Sequence, residues 1–355
     1  MRYAEVSECQ GNVTPIDLTA LTRGGKIPSM VCASTGVTLI LLLACSLCAQ
    51  DAPCMKRVIP VGILDSHGDV PHDLNANTFT AKLDRKPLEI TSAKPFSGPK
   101  RVAILLDTSG SMKNDVYSSG KAKLAYWVVA DAVNRLPANV SIAVLGFNEK
   151  VDRKLDFSVP REQLASELTE HEKSPDSLVR GKTALWDAIE YVLDQIPNAA
   201  PGDAIYAITD GEDNRSQIKT AQLESRLQRA GVRLHLFLLR DFLFTGDPFP
   251  GTDDTRMLAR ATGGEVIELH PTIHGTGTSG TSENFTLSPE RQQIVSDELT
   301  LLYRQTASPY FLDVELPAAL RRSRSWTVNV ADQRRRKSIY LFYPRQIVPC
   351  ETRDN

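Results

Sequence analysis

Apolar residues fall along this chain in two rhythms, and the change comes at Ser97–Gly98–Pro99, a turn-forming stretch that marks a boundary. Before it, residues 58–96 read as short strands and turns. Val58–Leu64 leads into the polar turn Asp65–Asp69, and Phe79–Leu83 alternates as a half-buried strand does. After it come unbroken apolar runs: Val102–Leu106, Val140–Phe147, Ala204–Ile208 and Leu234–Leu239, with Glu265–Leu269 a fifth strand. Such runs suit strands covered on both faces. Amphipathic stretches near 121–136, 160–172, 184–196, 216–230 and 253–262 separate them, and a last helix is expected over about 288–306. This alternation predicts βαβ units and an α/β fold with a doubly wound, mainly parallel sheet.

The tail returns to the first rhythm in Tyr310–Leu316, Trp326–Val330 and Ile339–Phe342. These runs are expected to pair with the N-terminal strands as a small flanking β module. The Gly-, Ser- and Thr-rich stretch 271–286 reads as a surface loop. The expected organisation is an extension and signal segment at 1–49, a short β segment at 50–98, the α/β domain at 99–306 and a C-terminal β segment at 307–355.

The 355 residues carry a net charge of −2, which offers no electrostatic footing for nucleic acid as a partner. The basic runs Arg321–Arg324 and Arg334–Lys337 read as solvated strand ends. Residues 27–50 contain no charged side chain, Val37–Ala44 is densely apolar, Arg23 and Lys26 precede it, and Leu47–Cys48–Ala49 ends it on small residues. That is the layout of a secretory signal, too short in its apolar part for a comfortable bilayer span. Met30 offers an alternative start, and Leu42–Leu43–Ala44–Cys45 resembles a lipobox, which leaves a lipid anchor open. Cleavage after Ala49 would leave Cys54 and Cys350, which form one disulfide or stay two free thiols. The expected location is outside the cytoplasm: periplasmic, secreted or held on the outer face of a membrane. Membrane contact is expected only through a lipid or an uncleaved signal.

Candidate chemistry sits at strand ends. Asp107 closes the first buried run, and Ser109 and Ser111 follow at alternate positions around Gly110. Thr183 stands at the expected start of a helix in Gly181–Lys182–Thr183–Ala184–Leu185, and Asp210 follows another buried strand in Thr209–Asp210–Gly211. All three segments would open at the carboxyl end of the sheet, where doubly wound folds bind ligands. Hydroxyls and carboxylates are hard oxygen donors that suit Mg²⁺, Mn²⁺ or Ca²⁺ better than zinc. Taken one at a time, each segment reads equally as a strand-end polar residue, a turn or a helix cap. The acidic Glu212 and Asp213 would rim the site, and Asp187 would complement the dipole of the helix after Thr183.

Asp-x-Ser-x-Ser after the first strand, Gly-x-Thr-Ala-Leu, and Thr-Asp-Gly after a later strand together resemble the von Willebrand factor A domain over roughly 100–305. The resemblance implies a metal-dependent adhesion site, with Ser109 and Ser111 as direct ligands and Thr183 direct or water-bridged. It implies Asp107 and Asp210 as carboxylates that hold waters on the metal. It implies too that the domain binds a protein partner through a Glu or Asp carboxylate and catalyses nothing. A metal-assisted hydrolase and an assembly protein with an idle site remain the alternatives.

Gly181–Lys182–Thr183 lacks the earlier glycine of a phosphate-binding loop, for Asp176 stands there. Ser109 lacks the glycine pattern of a nucleophile elbow. His270 and His274 are split by Pro271 with no cysteine near, so zinc is not expected there.

Overall fold

The computed structural model describes residues 55–113, 121–172, 179–239, 252–269 and 289–350. The expected signal segment, Cys54 and the loop 271–286 lie outside those residues.

The continuous apolar runs become the inner strands of a six-stranded sheet. Its strands are β4 (Lys100–Asp107), β5 (Val140–Phe147), β6 (Val151–Leu155), β7 (Ala204–Thr209), β8 (Arg233–Leu239) and β9 (Val266–Leu269), in the spatial order β6-β5-β4-β7-β8-β9. Every pairing is parallel except β5 with the edge strand β6. Because side chains alternate across a strand, β4 feeds both faces. Val102, Ile104 and Leu106 join one core, under α1 (Lys121–Arg135), α2 (Arg161–Glu172) and α6 (Pro289–Ala307). Ala103 and Leu105 join the other, under α3 (Leu185–Gln195), α4 (Thr220–Ala230) and α5 (Thr252–Ala261). The doubly wound α/β architecture is thus present as expected.

Chain order reverses direction between β4 and β7. One crossover leaves β4 toward β5 and the later ones run outward from β7, which opens a crevice at the carboxyl ends of these two strands.

The remaining strands are β1 (Lys56–Asp65), β2 (Phe79–Leu83), β3 (Lys86–Pro95), β10 (Tyr310–Glu315), β11 (Arg324–Val330), β12 (Ile339–Phe342) and β13 (Gln346–Ile347). They form a seven-stranded antiparallel sheet in the order β12-β1-β10-β3-β2-β11-β13. N-terminal and C-terminal strands interleave: β10 lies between β1 and β3, with Ile59 opposite Leu312 and Ala93 opposite Leu312 on its other side. The α/β domain is therefore inserted between the two halves of the flanking module. A short helix, α7 (Gln333–Arg336), takes up most of the second basic run. Arg335 there pairs with Asp73, while Arg324 of the first run pairs with Asp84.

Candidate functional site

Asp107 ends β4 and is 2% exposed. Its Oδ1 accepts the Ser109 backbone N–H at 2.8 Å, and its Oδ2 accepts the Thr209 hydroxyl at 2.6 Å. The carboxylate is thereby fixed between the ends of β4 and β7. Ser109 is fully buried, and its hydroxyl lies 3.1 Å from that of Ser111, which starts up the short 3₁₀ turn Gly110–Met112. The alternate spacing thus brings two hydroxyls together beside the strand end.

The loop before α3 is pinned onto this turn. Gly110 N–H donates to Gly181 O at 2.9 Å and Arg180 N–H to Thr108 O at 2.9 Å. Gly181 has φ +77°, a left-handed conformation that favours glycine, and a Cβ on Gly110 would meet Gly181 O at 3.1 Å. The two glycines permit the approach that carries Thr183 to the crevice. Thr183 is 1% exposed and does not open the helix: α3 begins at Leu185 with Ala184 at its cap. Its backbone is instead exchanged with Asn214, whose side-chain Oδ1 accepts Thr183 N–H and whose N–H donates to Thr183 O, both at 3.1 Å. This bond ties the Thr183 loop to the loop after β7.

Asp210 follows β7 and is 7% exposed. Its Oδ2 accepts from the Lys121 ammonium at 3.1 Å, while its Oδ1 is buried without a hydrogen-bond partner among the described residues. Burial and the neighbouring Asp210 charge push the Asp107 carboxyl up to about 7, against the hydrogen bonds from Ser109 and Thr209 that favour its ionised form.

All five sequence-predicted positions therefore stand at the same end of the sheet, in segments tied by named hydrogen bonds. Two neighbours expected to rim or decorate the site do other work. Asp213 accepts from Trp186 N–H, Ser216 N–H and the Ser216 hydroxyl, and so folds the loop after β7. Asp187 accepts from the backbone of Gln217 and Ile218, a loop clamp more specific than the expected helix-dipole effect. These bonds hold 213–218 out of a helix, so α4 starts at Thr220 and not near 216. Two site residues escaped the sequence reading. Thr209 was visible in the Thr-Asp-Gly triplet without a role, and Lys121 reads from sequence only as a helix start.

Among the described residues no group of three or more His, Cys, Asp and Glu gathers as a metal cluster. The set here is two carboxylates and three hydroxyls. A cavity of about 260 Å³ opens beside it, lined by Thr108, Tyr126, Asp152, His171 and Arg180 among others. A larger one, about 570 Å³, lies at the opposite end of the sheet between Val58, Arg226 and the segment Pro344–Cys350. It shares no residue with the predicted site.

Residues 102–212 match the family model of the von Willebrand factor type A domain, and this part of the chain is a domain of that family. Domains of this family commonly mediate contacts between proteins. No curated protein sequence matches the chain. Among solved structures it is similar to the conserved hypothetical protein BatB from Bacteroides thetaiotaomicron, at 17% identity and a TM-score of 0.40, covering 58% of this chain and 98% of that one. It is similar to an aerotolerance-related membrane protein from Bacteroides fragilis, at 18% identity and TM-score 0.38, covering 48% of this chain and 92% of that one. A von Willebrand factor type A protein from Catenulispora acidiphila matches at 12% identity and TM-score 0.39, covering 84% and 76%. At this level of likeness nothing about activity or partners passes from them to this chain. Among the described residues no helix is long and apolar enough to cross a membrane.

Proposed function

We propose that this protein is an exported binding module whose crevice holds a divalent cation, Mg²⁺ or Mn²⁺, with Ca²⁺ a further candidate. The partner is a protein that offers a Glu or Asp carboxylate. The observation that carries this reading is the Asp210 Oδ1 atom, buried and unpartnered beside a second buried carboxylate and a pair of hydroxyls. A buried acceptor left unsatisfied costs about 1–3 kcal/mol, and a hydrated cation would satisfy it.

The donor set fits a hard cation. Ser109, Ser111 and Thr183 would offer neutral oxygens, and Asp107 and Asp210 would accept hydrogen bonds from waters on the ion. When bound, the ion supplies a positive centre that can take an anionic oxygen from outside the protein. Thr209 keeps Asp107 from rotating, and Asn214 holds the Thr183 loop in place. The module is read as non-enzymatic because these groups are engaged in holding one another. Export rests on the apolar, uncharged segment 27–50.

Titration of the purified protein with Mg²⁺ and Mn²⁺, followed by calorimetry and melting, tests this. At about a hundred times Kd the ion should stabilise the wild type by about 2.7 kcal/mol. Chelator should reverse the effect, and Asp107→Ala and Ser109→Ala should abolish or strongly weaken it. A wild type with no binding heat and an unchanged melting curve would overturn the metal-site reading.

A further inference from the structure

A third cavity, about 300 Å³, lies at the amino end of β9, where the end of α5 meets the flanking module. It shares no residue with the crevice, and its chemistry is independent of the cation reading. Arg260 from the last turn of α5, Glu265 just before β9 and Arg345 between β12 and β13 line it, with Phe342 and Tyr343 as an aromatic wall. Gly263 N–H and Gly264 N–H donate to Arg260 O and Ala259 O, so these carbonyls at the end of α5 are satisfied within the turn. The charges around the cavity are near one another without being closed on one another. Burial raises the Glu265 carboxyl, while the guanidiniums of Arg233, Arg260 and Arg345 draw it down. Yet among the described residues it forms no direct ion pair or side-chain hydrogen bond with any of the three. Arg345 is held in place by Tyr343: its Nη1 donates to the hydroxyl at 2.6 Å, and its guanidinium lies 4.4 Å from the ring centroid. Arg233 is fully buried, its Nη2 donates to Gln305 O at 3.2 Å, and its Nε and Nη1 have no partner among the described residues. Arg233 Nη1 and Phe342 Cβ lie 3.1 and 3.3 Å from where a Cβ on Gly62 would stand, so this guanidinium sits directly behind the wall. A buried charge without a partner is costly, and an anion brought close to it offsets that cost.

Guanidiniums gathered around one carboxylate suit a ligand that accepts several hydrogen bonds from arginine and donates one to Glu265. The oxygens of a phosphate group match arginine in this way. A phosphate that keeps a proton also has an O–H, which a carboxylate, an acceptor only, can take. We propose that this cavity binds a protonated phosphate group, as the free ion or as a monoester. Arg260 and Arg345 hold its oxygens, Glu265 takes its O–H, and Arg233 supplies a fixed positive charge behind the wall. Glu265 then sets the selectivity. Sulfate has the same shape but no proton to give near neutral pH, and would leave the carboxylate facing a bare oxygen.

Calorimetry of the purified protein at about pH 6, where a phosphate monoester keeps its second proton about half the time, tests this. The probes are inorganic phosphate, glycerol phosphate and sulfate at matched ionic strength. Inorganic phosphate should bind, and sulfate should bind about tenfold more weakly because it leaves the Glu265 acceptor without a donor. Binding of glycerol phosphate as well extends the site to monoesters, and binding of inorganic phosphate alone narrows it to the free ion. Arg260→Ala should weaken phosphate about tenfold, as loss of a charge-assisted hydrogen bond predicts. Glu265→Gln, whose amide can donate to either anion, should bind sulfate and phosphate alike. Melting in chloride checks that each variant folds, and Arg260→Gln keeps the test decisive if the alanine does not. A wild type that binds neither phosphate would overturn the site. Equal affinity for phosphate and sulfate in the wild type, or phosphate affinity unchanged by Arg260→Ala, would overturn the assigned roles and the ligand class with them.

Discussion

The two sheets bury different things. In the antiparallel sheet the buried side chains are apolar, and exposure alternates along β2 and β10 as one covered face requires. In the α/β part β7 and β8 are buried at every position. Among the described residues, every buried polar or charged side chain, from Lys100 to Thr306, belongs to that part. It holds the Asp107–Asp210–Lys121 group at the carboxyl ends of its strands. At the other ends it holds the Arg101–Asp203 pair and the buried Arg233 and His235. Such groups carry a desolvation cost that only specific partners offset. The parallel sheet can bear that cost because helices on both faces give it two apolar cores. The antiparallel sheet, covered on both faces along Ile59–Leu64 of β1 but alternating along β2 and β10, works as a scaffold whose buried side chains are apolar.

The sharpest way to break this contrast is to remove the scaffold's largest anchor. Trp326 on β11 is buried, stacks edge-on against Tyr343 with ring centroids 5.2 Å apart, and donates its indole N–H to Pro344 O. Trp326→Ala should cost about 3–5 kcal/mol in denaturant melts. Because β1 and β10 pair across the inserted domain, the loss should appear in the whole transition. A separate early transition that leaves the α/β part at its wild-type midpoint would show the sheets to be independent instead.

A smaller effect is expected at the base of the parallel sheet. Asp203 Oδ2 accepts from Arg101 Nη2 at 2.6 Å and Oδ1 from its Nε at 3.0 Å, which joins the starts of β4 and β7. Asp203 also accepts the Ala200 N–H. Asp203→Ala removes the only carboxylate partner, among the described residues, of a partly buried guanidinium and should destabilise by about 2 kcal/mol, less than a fully enclosed pair because Arg101 keeps solvent contact and its bond to Pro197 O. Asp203→Asn, which keeps the Ala200 bond, should recover part of it. A loss below about 0.5 kcal/mol in the alanine variant would place this pair with ordinary surface bridges.

The same contrast explains what could be read from sequence. The inner parallel strands announce themselves because two-sided burial leaves no polar position in Ile104–Leu105–Leu106 or Leu236–Phe237–Leu238. The segments of the candidate site could be picked out because a carboxylate at such a strand end has few structural uses, and two of them with a Gly-x-Thr loop between have fewer. β3, Lys86–Pro95, was not picked out: its exposed positions carry Lys, Glu and Pro, and its partners lie in β2 and, far along the chain, β10. β6, with Asp152, Arg153 and Lys154 in five residues, is an edge strand whose place depends on β5. Helix starts shifted where side chains claimed the backbone, as Asp187 and Asp213 do before α4. Lys121 was illegible for a similar reason. Its contact with Asp210 spans 89 positions, which no local pattern announces.

The smallest effect separates the sheets by pH. Burial and the charge of Asp210 hold the Asp107 carboxyl at about 7, above the 3.8 of an unstructured aspartate. Between those values the folded protein keeps a proton that the unfolded chain has released. The stability that Asp107 contributes is therefore present at lower pH and lost as pH rises through about 7. His235 runs the other way, since burial depresses its pKa below 6.5 and it costs stability only as pH falls below that value. In chelator, then, the wild type should melt at a lower temperature at about pH 8 than at about pH 6.5. Asp107→Asn, which cannot ionise, should flatten this slope, while Trp326→Ala should lower the midpoint and leave the slope in place. Saturating Mg²⁺ at about pH 8 should restore the wild type, because the cation takes over the neutralising role of the proton. A slope that survives Asp107→Asn unchanged would mean that the pH response arises elsewhere in the α/β core, and that its site end is not where the parallel sheet concentrates its electrostatic cost.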